Sequence, residues 1–204
     1  MPAILILLFF AFTAYGQHLT DRNGNRIVEY GGRFDRMRLG IGIMGDYYVI
    51  SPSLSGSSGG KGFGASIGMV TSVPIVSRLT LNPEFYLTLR NFEGIIEESA
   101  LNIPVTLKWT LFETLNSIFE DTMYYIEGGV QFGVPMNTSI SKYRTHIDRE
   151  TSDFGIVLGF GGDASHFKYF ILDIGSRFII NTTSLDKSTD NSFWTVTLFA
   201  KLLF

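Results

Sequence analysis

Hydrophobic and polar residues alternate at every second position over most of the chain from residue 36 onward. In the clearest segment, 78–92, leucines and a phenylalanine alternate with arginine, threonine, asparagine and glutamate. A two-residue period places one set on each face of a β-strand, and helical spacing fits these segments less well. The alternation predicts eight strands, at 38–49, 61–73, 78–92, 100–111, 123–134, 153–161, 170–180 and 192–204.

Strand length and connection length narrow the choice of fold. Most predicted strands have 12 to 15 residues, more than the about five or six of soluble sheets and enough to cross a bilayer. Short connections at 74–77 and 163–166 alternate with longer polar ones at 51–60, 135–152 and 181–191, with 112–121 as the exception. We therefore expect an all-β fold, an eight-stranded antiparallel up-and-down transmembrane β-barrel. A soluble lipocalin-like barrel is the alternative.

Aromatic residues gather near the ends of the predicted strands. Two such belts are typical of a barrel wall at the two membrane interfaces. Phe92 is expected in the belt on the side of the long loops. The other proposed girdle residues are Tyr47, Trp109, Tyr124, Phe154 and Trp194.

The polar faces of the strands carry charged residues that a barrel would enclose. An eight-stranded barrel is just wide enough for its own side chains, and enclosed charges must find partners. We expect Lys108 between Glu84 and Glu127, Asp173 diagonal to Lys201, and Asp153 across from Arg177. The interior is then a side-chain-filled polar core rather than a conduit. The predicted interior network comprises Glu84, Lys108, Glu127, Asp153, Asp173, Arg177 and Lys201.

The two ends of the sequence carry targeting features. The apolar run at 4–12 is too short for a spanning helix, and small residues at 14 and 16 predict cleavage of a signal peptide, residues 1–16. No Lys or Arg precedes this run, and a buried first strand is the alternative. Residues 17–35 are expected to form a periplasmic arm, and 36–204 the barrel in a bacterial outer membrane. Phe204, an aromatic residue on an apolar strand face, is the expected assembly signal for the barrel-insertion machinery.

Composition argues against several classes of function. The net charge of -3 provides no basic surface for nucleic acid. The chain has no cysteine, which excludes thiol catalysis and cysteine zinc sites. Asp21, Asn23 and Asn25 superficially resemble a calcium loop, but the required glycine and terminal acid are absent. We therefore expect no metal and no cofactor.

Three histidines, at 18, 146 and 166, are the candidate bases for an enzyme. His146 has Ser141, Asp148 and Glu150 nearby in sequence, but this segment is charged and is typical of a solvated loop. We therefore expect no catalytic residues, and a lipid-modifying outer-membrane enzyme is an alternative.

The order of several segments resembles the PorT-like outer membrane protein β-barrel domain family. The segments are FDRMRLGIGI, KGFGASIGMVTSV, LTLNPEFYLTLRNF, ALNIPVTLKW, YYIEGGVQFG, DFGIVLGFGGDA and FILDIGSRF. The resemblance implies an outer-membrane location, a small barrel without known catalytic residues and, for PorT itself, an accessory role in protein secretion.

These observations together predict a non-enzymatic outer-membrane barrel with a structural or partner-binding role. Its expected partners are outer-membrane lipid, the insertion machinery and an envelope or secretion protein. The alternatives are a small-solute pore, the lipid-modifying enzyme and the lipocalin-like barrel.

Overall fold

The computed structural model describes residues 37–50, 60–76, 78–92, 96–114, 121–140, 152–166, 170–183 and 193–204. The predicted signal peptide, the arm, His18 and the His146 segment lie outside these residues. Within the described part of the chain, no helix is long and apolar enough to span a bilayer. The eight strands are β1 Arg38–Ile50, β2 Gly60–Val76, β3 Leu79–Phe92, β4 Ile96–Thr114, β5 Asp121–Ile140, β6 Asp153–His166, β7 Phe170–Asn181 and β8 Phe193–Leu203.

The strands form one closed antiparallel barrel in sequence order. Each strand pairs with the next along the chain, and β8 returns to pair with β1 from Phe193 opposite Ile50 to Leu203 opposite Gly40. Closure leaves no free sheet edge along the paired length of these strands. The predicted eight-stranded up-and-down barrel is confirmed.

Two connections predicted as turns are occupied by strand. β2 continues through Pro74, and a register shift between Pro74 and Val76 marks a bulge, where a proline is tolerated because its missing N–H need not join the ladder. β6 continues to His166, so Asp163 lies within the strand opposite Asp173.

The strands β4 and β5 are the longest, and at one end of the barrel β5 extends past β6. They pair from Ile96 opposite Ile140 to Thr114 opposite Thr122. The pairing of β5 with β6 begins only at Gly133 opposite Asp153. The stretch 134–140 therefore extends past the start of β6 as a raised rim.

The alternation along the strands produces an apolar exterior and a polar interior. Large side chains such as Ile43, Phe63, Leu89 and Leu198 are exposed on the outside, whereas seven acidic and four basic side chains are buried within. A water-soluble protein has the opposite distribution, so this outer wall is suited to lipid. We call the end where β1 begins and β8 ends the terminal end, and the opposite end the loop end.

Candidate functional site in the barrel lumen

The centre of the lumen is occupied by Arg177, on β7. Its Nη1 and Nη2 each donate a 2.8 Å hydrogen bond to an oxygen of Glu84, and its Nε and Nη2 donate to Glu127 at 2.6 and 3.0 Å. Lys201 adds a 2.8 Å bond to Glu84, and Thr106 donates to Glu127 at 2.9 Å. One guanidinium thus binds two carboxylates, one on β3 and one on β5, and its planar fork of donors is suited to such pairing.

Lys108 forms a second ion cluster nearer the terminal end. Its ammonium lies 2.9 Å from both Asp163 Oδ1 and Asp173 Oδ2, and Tyr125 donates a hydrogen bond to Asp173. Lys201 lies 3.5 Å from the same Asp173 oxygen, which joins the two clusters. These seven charged side chains, which we call the terminal network, are Glu84, Lys108, Glu127, Asp163, Asp173, Arg177 and Lys201.

Aromatic rings cover the cations of the terminal network. The Lys201 Nζ lies 4.1 Å from the Phe199 ring centre, and the Lys108 Nζ lies 4.0 Å from that of Tyr125, distances at which a cation is attracted to the ring face. Phe199 presses so closely on the wall that a Cβ at Gly175 would lie 2.5 Å from its ring. Glycine is therefore required opposite the ring.

The predicted ion pairs differ from those in the structure. Lys108 does lie opposite Glu127, but its ion pairs are with Asp163 and Asp173, because its side chain reaches across the lumen. Asp173 lies directly opposite Lys201 rather than diagonal to it.

The third predicted pair, Asp153 with Arg177, is wrong. Arg177 lies opposite Gly159, and Asp153 instead binds Arg90 at 2.8 Å near the loop end. Asp163 was missed because it fell in a predicted turn; its alternation with the rest of β6 was the available signal. Apart from Asp153, all the predicted interior residues belong to the terminal network.

Near the loop end, Arg90 is the buried cation of a smaller cluster. Its Nη1 lies 2.8 Å from Asp153 and 3.5 Å from Glu98, and its Nη2 donates to Asn102 at 3.1 Å. Its Nε has no hydrogen-bond partner among the described residues. Arg90 lines a cavity of about 10 Å³, which is about the room that one water molecule needs.

Asp46 lines the same cavity and is held by hydroxyl groups. Thr197, Tyr48 and Ser66 donate hydrogen bonds to its carboxylate at 2.6, 3.2 and 3.2 Å. We call Asp46, Arg90, Glu98 and Asp153 the loop-end group. Several neutral donors thus solvate a buried carboxylate, which lowers the cost of its burial.

Three aromatic side chains close the lumen above Asp46. Tyr48, Phe92 and Phe193 are almost fully buried, and their ring centres lie 5.1 to 6.2 Å apart, within the range of favourable aromatic pairs. We call them the aromatic lid. The prediction that Phe92 lies in an outer girdle is wrong, since its position on β3 points inward with Arg90.

The predicted girdle residues occur on the outer wall near the strand ends. Towards the loop end, Tyr47 packs on Phe63, Phe154 on Phe132 and Trp194 on Phe178, with ring centres 5.1 to 5.4 Å apart. Towards the terminal end, Tyr124 stacks on Phe112 at 4.9 Å. Trp109 and Phe204 are also exposed at this end. The role of Phe204 in assembly stays a prediction.

The charged side chains of the lumen fill its interior and bind one another. Within the described residues, no three His, Cys, Asp or Glu side chains are placed to hold a metal ion. In the terminal network, each carboxylate is already bound to a cation. Each buried charge is thereby compensated by a partner, and removal of one partner would leave the other uncompensated.

Comparisons with known proteins show the fold alone. No family model matches the sequence, and no curated protein matches it. Neisserial surface protein A (NspA) has a similar solved structure, with 12% identity, a TM-score of 0.50, and coverage of 81% of this chain and 97% of that one.

Two further solved structures are less similar. For the outer membrane enzyme PagL the identity is 13% and the TM-score 0.49, over 78% of this chain and 97% of that one. For the outer membrane protein OprG from Pseudomonas aeruginosa the identity is 10% and the TM-score 0.46, over 82% of this chain and 94% of that one. With its apolar outer wall, the chain has the fold of a bacterial outer-membrane β-barrel and is located in that membrane.

Proposed function

We propose that this protein is a non-enzymatic, closed outer-membrane barrel that anchors a partner-binding surface at its loop end. The observation that carries the proposal is the continuous terminal network, in which Arg177 joins Glu84 to Glu127 across the lumen. Together with the aromatic lid it fills the cross-section. A filled lumen supports an anchoring role over passage of solutes.

Conductance in planar lipid bilayers tests whether the barrel is closed. The wild-type protein is expected to show no steady ion current. A triple variant, Glu84→Ala with Arg177→Ala and Lys201→Ala, removes three interacting side chains at once and is expected to conduct if it folds. A steady current through the folded wild type would overturn the proposal in favour of the small-solute pore.

The raised rim of β5 supports partner binding at the loop end. Met136 on this rim is 64% exposed and lies beyond Phe132, which forms a girdle pair with Phe154. An apolar side chain beyond the girdle is outside the band that lipid covers, and such exposed groups are favoured at protein interfaces. The family resemblance to PorT-like barrels adds an envelope or secretion protein as the proposed partner.

Site-specific photocrosslinking in intact cells tests this surface. A photoreactive amino acid at Met136 is expected to crosslink to a discrete protein. The matched control is the same group at Leu198, which is 65% exposed in the middle of β8 and is expected to crosslink to lipid alone. Protein adducts at Leu198 and none at Met136 would contradict the assignment of the binding surface.

The non-enzymatic part of the proposal has its own test. Purified barrel mixed with radiolabelled envelope lipids is expected to leave their acyl groups unchanged. Hydrolysis or transfer that is lost in His146→Ala would instead support the lipid-modifying alternative.

A further inference from the structure

A groove on the outer wall is lined by residues of β5, β6, β7 and β8. Its volume is about 300 Å³, the lower end of the roughly 300–1,000 Å³ range of small-ligand sites. Its lining residues are Ile126, Leu158, Gly159, Phe160, Ser176, Arg177, Phe178 and Val196.

The groove results from one small outward-facing residue in a row of large ones. Phe160 lies directly opposite Ser176, and Ser176 lies directly opposite Leu198. Both large neighbours stand out from the wall, with exposures of 66% and 65%. The neighbouring pair, Leu158 opposite Phe178, is large on both strands. Ser176 therefore leaves a gap beside Phe160, which lines the groove, whereas Leu198 does not.

The groove presents no charge to the membrane. The guanidinium of Arg177 is turned inward and is bound by Glu84 and Glu127. The remaining lining side chains are apolar, except for the Ser176 hydroxyl. A polar head group would lose its hydration here without compensation, whereas hydrocarbon would gain contacts in an otherwise unfilled space.

The groove also lies at the depth of hydrocarbon. Its end nearest the loops is formed by Phe178, which pairs with the girdle residue Trp194 at 5.4 Å. From there it runs towards the terminal end along a wall that faces lipid throughout. Its surroundings are therefore continuous with the established membrane surface of the barrel.

We propose that this groove is a binding site for one acyl chain of a membrane lipid, held longer than the lipids around the rest of the wall. The site is independent of the partner proposed at the loop end. The alternative occupant, a second copy of the barrel, would insert side chains in the same gap and is distinguished by mass.

Native mass spectrometry of the whole protein tests the proposal. The barrel is reconstituted in vesicles of dioleoyl phosphatidylcholine, extracted in mild detergent, and compared with Ser176→Phe, which fills the groove. The wild type is expected to retain one lipid per barrel, and Ser176→Phe to lose that adduct. Ser176→Ala keeps the groove open and should retain the lipid. Heat-modifiable migration on a gel verifies that each variant is folded.

The control for added surface is Ala65→Phe, at an exposed outward position on β2 away from the groove. It should retain the lipid as the wild type does. Absence of a wild-type adduct would overturn the proposal, as would equal loss in Ala65→Phe and Ser176→Phe. A wild-type mass of two barrels that reverts to one in Ser176→Phe would overturn the lipid assignment and identify the groove as an interface between copies.

Discussion

The two halves of the lumen stabilise their buried polar groups in different ways. In the terminal network, three cations are shared among four carboxylates at 2.6 to 3.5 Å. In the loop-end group, Arg90 binds Asp153, while Asp46 accepts hydrogen bonds from three hydroxyls beneath the aromatic lid. The terminal half thus depends mainly on ion pairs, whereas the loop-end half combines the ion pairs of Arg90 with neutral donors and apolar packing.

This difference predicts an unequal response to substitution. Removing one member of a buried ion network leaves an uncompensated charge, which is the costly event. Hydroxyl groups can reorient towards a neutral replacement, and the cavity beside Arg90 has room for a water molecule. A substitution in the terminal network should therefore lower the free energy of unfolding more than a substitution of the same kind in the loop-end group.

The largest effect is expected from Arg177→Met, which leaves Glu84 and Glu127 without their shared guanidinium. The free energy of unfolding should fall by about 3–5 kcal/mol, measured by urea titration of the barrel in vesicles. The control, Arg78→Met, alters an exposed arginine and should change it by less than about 0.5 kcal/mol. Equal stability of the two variants would refute the role given to the terminal network.

The next largest effect is expected from Phe193→Ala, which opens the aromatic lid. Loss of a buried phenylalanine ring should lower the free energy of unfolding by about 3 kcal/mol in the same titration. Phe63→Ala is the control, because its ring faces lipid that can fill the space. A larger loss of unfolding free energy for Phe63→Ala than for Phe193→Ala would show that the aromatic lid does not stabilise the loop end.

A smaller effect is expected from Arg90→Met, which should lower the free energy of unfolding by about 2 kcal/mol. This substitution removes the ion pairs to Asp153 and Glu98, but the cavity at the loop end has room for a water molecule beside them. Urea titration of Arg90→Met and Arg177→Met in one series compares the two losses of unfolding free energy directly. A loss for Arg90→Met larger than that for Arg177→Met would reverse the order of the two halves.

The smallest effect is expected from Asp46→Asn, which should lower the free energy of unfolding by about 1 kcal/mol or less, because the hydroxyl donors retain an acceptor oxygen. The matched change in the terminal network is Asp173→Asn, which weakens contacts to Lys108 and Lys201 and should cost more. Urea midpoints of the two variants provide the measurement. Equal midpoints would show that hydroxyls and cations stabilise these carboxylates to the same extent.

Much of the fold could be predicted because a strand has a two-residue period. The period assigns Glu84, Glu127 and Arg177 to one face whatever the rest of the chain does, and all three are buried in the lumen. Strand ends were less predictable. The sequence predicts a turn at Asp163, because the local pattern does not reveal that the pairing of β6 with β7 continues to His166.

The aromatic residues illustrate a second limit. Phe92 and Phe199 occupy inward positions, yet they carry apolar side chains, so composition favours the outer wall and alternation favours the lumen. The structure decides for the lumen, because each ring has a place there: Phe92 against Tyr48, and Phe199 over Lys201.

The sequence by itself determined the number of strands, their two faces and most of the charges that would be enclosed, because these depend on neighbours along the chain. Only the tertiary structure decided which charges meet. Glu84 and Arg177 are 93 residues apart and lie on strands that are not paired with each other. Closure of the barrel brings them together, since long side chains then reach across a lumen that cross-strand register does not describe.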